Sequence, residues 1–229
     1  MLVGEAHLRV YLELALGCGT CTGEGEDDQC FLHRCGIGAA PPFQAACQTA
    51  NGTSLRSIRA PPAMTQASFR IVVIGGGAAG HMAAISAKTQ RPDAEVLLLE
   101  KSDKWLAKVR ISGGGRCNVT HHCAEPRKLA RHYPRGGAFV RKVFAVWGQP
   151  EVVAWFAEQG VVLKIEPDGR MFPITDDSRT VIDALQRAVR SLGVEARMQS
   201  PVSRIEQKGG VWSLSVPEGT INADRVVVA

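Results

Sequence analysis

The sequence predicts the α/β class: a parallel sheet with crossover helices, extended by a β-meander. Three observations carry this. "FRIVVIG" from Phe69 and "AEVLLLE" from Ala94 are short, continuously apolar and rich in branched residues, as expected of strands buried on both faces. Between them "AAGHMAAISAKTQ" has helical spacing and the small residues of a helix packed closely on a sheet, with Pro92 ending it. Near the other end, "SRIEQKGGVWSLSVPEGTINADRVVVA" reads as a meander whose last run, Arg225 to Ala229, heads back into the sheet.

Taken in order, residues 1–63 show neither helical nor strand periodicity and are rich in Gly, Ala, Cys and Pro, so they read as an irregular or disordered extension. "MTQASFRIVVIGGG" from Met64 resembles a natural start, and the extension is expected to come from a misassigned start codon. Cys18-x2-Cys21 and Cys30-x4-Cys35 raise a metal site, but the spacing is poor for zinc, and no metal is expected. Residues 64–229 form the second unit. Beyond the opening strand-helix-strand, "GAFVRKVFAVWG" and "PEVVAWFAEQG" read as short amphipathic helices, the latter stopped by Gly160. "VVLKIEPDGRMFPI" predicts strand, turn at Asp168-Gly169, strand. In "TDDSRTVIDALQRAVRSLG" an N-cap is offered by Thr175 to Asp177, and Val181, Ile182, Leu185, Ala188, Val189 and Leu192 share one helical face. "VEARMQSPV" is then a third parallel strand.

No apolar run reaches membrane-span length, and the N-terminus lacks the basic lead of an export signal. Seven cysteines, an odd number without such a signal, imply reduced thiols and a cytoplasmic setting. Net charge is +5 but uneven: from Lys101 to Lys142 eleven basic residues face only Asp103 and Glu125. That stretch lacks the interleaved aromatics of a single-strand platform and matches no groove-reading motif, so no nucleic-acid partner is expected. A non-catalytic binding module acting through it is the weaker alternative.

Gly75, Gly77 and Gly80 form G-x-G-x-x-G between a strand and a helix. The first glycine permits a tight turn, the second lets the backbone approach a pyrophosphate, and the third lets helix and strand pack closely. Ala78 and Ala79 then open the helix, whose free N–H groups and positive dipole end suit phosphates. Glu100, with Lys101 after it, closes the second strand twenty residues past Gly80, where a carboxylate can accept from ribose hydroxyls and repel a 2′-phosphate. The pattern predicts a Rossmann-like dinucleotide-binding domain and leaves NAD and FAD open. An NAD-dependent dehydrogenase would use this cluster alone. It would leave "RISGGGRCNVTHH", Arg110 to His122, without a purpose. FAD is long enough to need a second glycine turn, whose main-chain N–H groups could touch it while Arg116 offsets phosphate charge.

With "LLEK…KVRISGGGRCNVTHH", "GRMFPITDDSRTVIDAL" and "IVVIGGGAAGHMAA", the chain from about Met64 to Ala229 resembles a bacterial family of flavoproteins, the NAD(P)/FAD-dependent oxidoreductases or aminoacetone-oxidase-family FAD-binding enzymes. The resemblance implies a two-dinucleotide-binding-domain fold with FAD in the first, Rossmann-type domain. NAD(P)H as electron partner stays open. It supports Gly75, Gly77, Gly80 and Glu100 for the adenosine diphosphate half, and Lys108 with Ser112, Gly113, Gly114, Gly115, Arg116, Cys117 and Asn118 near the flavin. It also implies main-chain contact of Val202 with adenine. Relatives are linked to bile-acid reduction and to amine oxidation, so no substrate carries over and no catalytic residue is named. Many relatives have glycine where this chain has Leu106. In the family the strand matched by "RVVVA" runs on into Thr-Gly-Gly, a substrate-binding insert and a closing segment. The chain is therefore expected to be a fragment that binds FAD weakly or not at all. Cys117 reads as a small packing residue of the loop rather than a redox partner of Cys123, His121 and His122 as solvent-exposed or hydrogen-bonding residues, and Trp105, Trp147, Trp155 and Trp212 as core. Oligomeric state is open.

Overall fold

The computed structural model describes residues 69–229. The readings of residues 1–63, their cysteine spacings included, lie outside the described residues. Strand β1 (Arg70–Ile74) leads into helix α1 (Ala78–Gln90) and strand β2 (Glu95–Leu99). Much later come β6 (Glu195–Arg197) and β10 (Arg225–Val228), and the four strands form one parallel sheet in the order β10-β1-β2-β6. Register is continuous across the centre: Val72 pairs with Val226 on one side and Leu97 on the other.

Alternation along these strands divides the core in two, because successive side chains leave opposite faces of a sheet. Ile71, Val73, Val96 and Leu98 pack with Ala84 and Ile85 of α1 and with the apolar face of α6 (Ser178–Ser191). Val72, Leu97 and Leu99 pack on the other side with Leu214, Val216 and Ala223. These last three belong to an antiparallel sheet, β7 (Arg204–Lys208), β8 (Val211–Val216) and β9 (Gly219–Ala223), in that spatial order. The parallel sheet is therefore sandwiched between helices and meander, as its continuous apolar runs require. Each fully buried aliphatic side chain contributes roughly 1.5–3 kcal/mol.

A third sheet, β3 (Thr120–His121), β5 (Arg170–Pro173) and β4 (Leu163–Ile165), is built on the predicted turn. Gly169 has φ +84° and donates its N–H to the Glu166 carbonyl at 2.8 Å. The helices α4 (Gly137–Phe144) and α5 (Gln149–Glu158) match the two amphipathic segments, and Gly160 ends the second at φ +78°. In α6, Asp177 is the N-cap and accepts from the Arg179 N–H at 2.8 Å.

Two differences from the sequence reading bear on the site. The second glycine turn, read as Lys108 with Ser112 to Asn118, opens with helix α2 (Ala107–Ile111) followed by a 3₁₀ turn (Ser112–Gly115). Ala107, Lys108 and Arg110 are good helix formers, and the glycines stop the helix only after it has made one turn. A short helix α3 (Pro126–Ala130) precedes α4, with Pro126 in its first turn, where a missing N–H costs nothing. No helix among the described residues is long and apolar enough to cross a membrane.

Candidate functional site

The turn between β1 and α1 is packed so closely that its glycines have little freedom. A Cβ at Gly80 would stand 1.8 Å from the Gly75 carbonyl oxygen, and Gly75 itself has φ +114°. At Gly76 a Cβ would lie 2.4 Å from the Trp105 ring, so the middle glycine, which the motif leaves unspecified, is needed too. Only Gly77 is different: it is exposed, as are Ala78 and Ala79, and a Cβ there would meet nothing within 4 Å. Gly77 caps α1 without any side-chain hydrogen bond, and the first turn holds no acidic residue. The N-terminal N–H groups of α1 thus face open space with their dipole uncompensated, the arrangement that accepts an anion.

Glu100 lies beside this turn. Its Oε2 accepts from the Gly76 N–H at 2.7 Å, and its Oε1 accepts from the N–H and hydroxyl of Ser102, each at 2.8 Å. Burial pushes its carboxyl upward, but the hydrogen bonds from Ser102 and Gly76 outweigh that and hold it below the ordinary carboxylate value. A carboxylate offers about four acceptor positions, so room for a ribose hydroxyl remains on Oε2. The segment carrying Val202 is tied to the same edge: Ser200 and Gln199 donate their N–H groups to the carbonyls of Glu100 and Ser102, at 2.9 and 3.0 Å. Lys101 is exposed next to it. This first half of the predicted site is brought together.

His81, the first residue after the motif, escaped the sequence reading. It is only 2% exposed, its Nδ1–H donates to the Gly77 carbonyl at 2.9 Å, and its ring meets Trp105 edge-on at 5.5 Å. Burial depresses its pKa, so the ring stays neutral while it braces the turn.

The second turn is joined to the first by one backbone bond, from the Leu106 N–H to the Gly76 carbonyl at 3.0 Å. Leu106 occupies the left-handed region, φ 56°, while its side chain is 1% exposed. The strain of roughly 1–2 kcal/mol is offset by burial of a leucine worth about as much or more. Gly113, Gly114 and Gly115 all have positive φ, and Cys117 follows at φ 62°. Gly113 also faces the Phe172 ring and the Asn118 nitrogen, at 2.7 and 2.8 Å from its would-be Cβ. The amide NH₂ of Asn118 donates to the carbonyls of Thr120 and Met171, at 2.9 and 3.3 Å. The Ser178 hydroxyl donates to the Arg110 carbonyl at 2.9 Å, which anchors α2 to α6.

These pieces meet around a cavity of about 340 Å³. Ala78 and Met82 of α1 form one wall, while Lys108, Ser112, Cys117 and Asn118 of the second turn form another. Trp147, Trp155 and Phe156 close the apolar back. Ala78 therefore belongs both to the anion-accepting helix end and to the cavity. All four tryptophans are half-buried: Trp105 and Trp155 pack against one core cluster and Trp212 against the other, while Trp147 and Trp155 also line the cavity. Gly114, Gly115 and Arg116 do not reach the cavity. Arg116 lies 4.0 Å over the Phe172 ring and pairs with Glu166 and Asp176, so its charge is already engaged. Cys117 and Cys123 are both free thiols, and burial raises the pKa of Cys117, which suits packing better than redox exchange. His121 stands 5.2 Å from His132, ring to ring, and His122 is exposed.

The chain is 29% identical over 160 residues to a 3-dehydro-bile acid delta(4,6)-reductase of Clostridium scindens, covering 70% of this chain and 38% of that protein. It is 26% identical over 161 residues to a ribosomal RNA dihydrouridine synthase of Escherichia coli, covering 70% and 39%. The chain thus spans under two fifths of the length of these relatives. In fold it is similar to a 3-ketosteroid-delta4-(5alpha)-dehydrogenase from Rhodococcus jostii, with a TM-score of 0.52 and 17% identity over 72% of this chain and 47% of that one. Residues 69–229 match the HI0933-like protein Rossmann domain. Turns, sheet and sequence agree: the chain belongs to the HI0933-like Rossmann-domain family, a family of FAD-dependent oxidoreductases.

Proposed function

We propose that this chain binds FAD across both glycine turns and serves an oxidoreductase that saturates a carbon–carbon double bond conjugated to a carbonyl. The observation that carries the first part is the position of Ala78, shared by the uncapped end of α1 and the cavity beneath the second turn. Gly77, Ala78 and Ala79 would hold the pyrophosphate by main-chain N–H groups, and Glu100 would accept from the adenosine ribose. The segment around Val202 would contact adenine. Lys108, Ser112 and Asn118 would orient the flavin end, and the apolar wall of Trp147 and Trp155 would exclude water from it. Bound FAD supplies two-electron redox chemistry at its ring; the protein supplies position and electrostatics. A nicotinamide dinucleotide would leave the second turn without a ligand. NAD(P)H is instead the candidate reductant.

Support for the reaction class comes from the two curated relatives. One is named for reducing a 3-dehydro bile acid at its delta(4,6) unsaturation, the other for making dihydrouridine in ribosomal RNA. Both products arise by hydrogenating a double bond polarised by a nearby carbonyl.

The test is a titration of the purified chain with FAD, read by flavin fluorescence. Binding is expected, and Gly77→Asp is expected to abolish it without unfolding the chain, because a side chain at Gly77 has room while its charge opposes the phosphates. Equal binding by parent and variant rejects the reading, as does the absence of flavin from a folded longer protein that carries this domain. The longer protein, reduced and then given an enone, is expected to reoxidise as the double bond is saturated.

A further inference from the structure

Charge is arranged in two ways on the described surface. Outside the α3–α4 hairpin most described arginines sit beside a carboxylate, as in Arg70–Glu95, Arg91–Asp93, Arg197–Glu195 and Arg204–Glu206. The helical hairpin of α3 and α4 is built otherwise. Arg127, Arg131, Arg135, Arg141 and Lys142 are all exposed, and none makes an ion pair or a side-chain hydrogen bond among the described residues. Lys128 alone is paired, with Glu125 at 2.8 Å. Arg127 and Arg131 are four residues apart, a spacing at which like charges on a helix repel. Arg127, Arg141 and Lys142 converge on one groove of about 560 Å³ whose remaining walls are Glu125, Pro126 and Ala145. Such unrelieved repulsion is removed when phosphates enter, and arginine forks suit phosphate oxygens.

Aromatic rings stand next to these cations. Tyr133 is 45% exposed and Phe139 59% exposed, on either side of Arg135 and the Gly136 turn. Both belong to the basic stretch between Lys101 and Lys142, and the fold brings them to the hairpin tip. Exposed rings among arginines form a stacking surface for unpaired bases. A bilayer is a poorer fit: Val143 is buried and Val140 half-buried in the hairpin, so α4 has only Phe139 to insert. The groove also adjoins the cavity along the chain, since Ala145 lines the one and Trp147 the other.

We infer that the α3–α4 hairpin is a docking surface for an unpaired stretch of RNA. The unpaired cations neutralise its phosphates, and Tyr133 and Phe139 stack on its bases. The choice of RNA among polyanions rests on the reaction class proposed above, in which a uracil ring of RNA is one substrate; the surface itself rests on the hairpin.

The experiment is fluorescence anisotropy of a labelled single-stranded RNA oligonucleotide with the full 229-residue chain at several salt concentrations. Five phosphate contacts predict a log–log slope of about −3.5, or roughly a hundredfold loss of affinity from about 50 to about 200 mM salt. The exposed triple variant R127A/R141A/K142A is expected to reduce the slope by about 2. Phe139→Ala is expected to weaken binding about fivefold through lost stacking. Arg204→Ala, which removes a carboxylate-paired arginine, is expected to change neither. Binding that ignores salt, a folded triple variant that binds like the parent, equal affinity for DNA of the same sequence, or retention on anionic vesicles in place of RNA each overturns the inference. Because FAD uptake is read separately, a chain that takes up flavin but shows no salt-dependent RNA binding removes the docking surface alone. RNA binding by this chain, together with no flavin in a folded longer protein that carries this domain, removes the oxidoreductase reading alone.

Discussion

At Gly80 a Cβ would stand 1.8 Å from a backbone oxygen, whereas at Gly114 and Gly115 it would meet nothing within 4 Å. The first turn needs glycine because α1 and β1 touch there; the second needs it because the backbone is left-handed for three residues running. Contact and handedness are separate demands with separate penalties. A turn fixed by contact is part of the core and cannot move without it. A turn fixed by handedness keeps open space around it, which is what a surface closing on a long ligand would use.

The comparison breaks most clearly at Gly80. Gly80→Ala is expected to destabilise by about 3 kcal/mol or more, since backbone rather than a side chain must give way. A urea midpoint within error of the parent would show that the turn is not held by contact. The next test divides the second turn against itself. Gly114→Ala should cost about 1–2 kcal/mol, the price of a left-handed alanine. Gly113→Ala should cost clearly more, because Phe172 and the Asn118 nitrogen crowd it as well. Equal thermal shifts in the two variants would contradict that ordering.

The smallest effect concerns His81 beneath the first turn. Its folded pKa is depressed by burial, so the unfolded chain takes up the proton first as pH falls below the ordinary value of 6.5. The stability it contributes is present above that pH and declines below it until the folded pKa is reached, by at most about 1.4 kcal/mol per pH unit. His81→Leu should be less stable at neutral pH, having lost the bond to Gly77, yet show a flatter stability curve between pH 6.5 and the folded pKa. A parallel curve would mean that the ring does not titrate there.

The sheet and the first turn were legible because their physics is local. "RIVVI" and "EVLLL" can only be buried strands at that length, and glycine spacing records the contacts of Gly75 and Gly80 directly. Alternating faces also made the meander readable. The second turn was legible in composition but not in shape. "AKVRI" makes its helical turn because Leu106 accepts a left-handed backbone in exchange for burial, a tertiary trade that no propensity shows. Arg116 was expected at a phosphate, yet Glu166 and Asp176, fifty and sixty residues away, claim it. The cavity role of Trp147 and Trp155 was hidden for the same reason: it depends on the long-range folding that sets them around one cavity with Ala78 and Met82. Unpaired cations on α3 and α4 could be counted in the sequence, but that they lack partners is a fact of three dimensions.

The position of β10 beside β1 has a consequence for how the chain is made. Asp224 binds the Arg70 backbone nitrogen across 154 residues, and β1 lies between β10 and β2. Until the ribosome has released residue 228, one hydrogen-bonding edge of a strand that is apolar from Ile71 to Ile74 has no neighbour. A growing chain in that condition is open to pairing with other nascent chains. Slow synthesis of the segment that carries β10, or deletion of β10, should therefore reveal itself as aggregation before any loss of cofactor is measured.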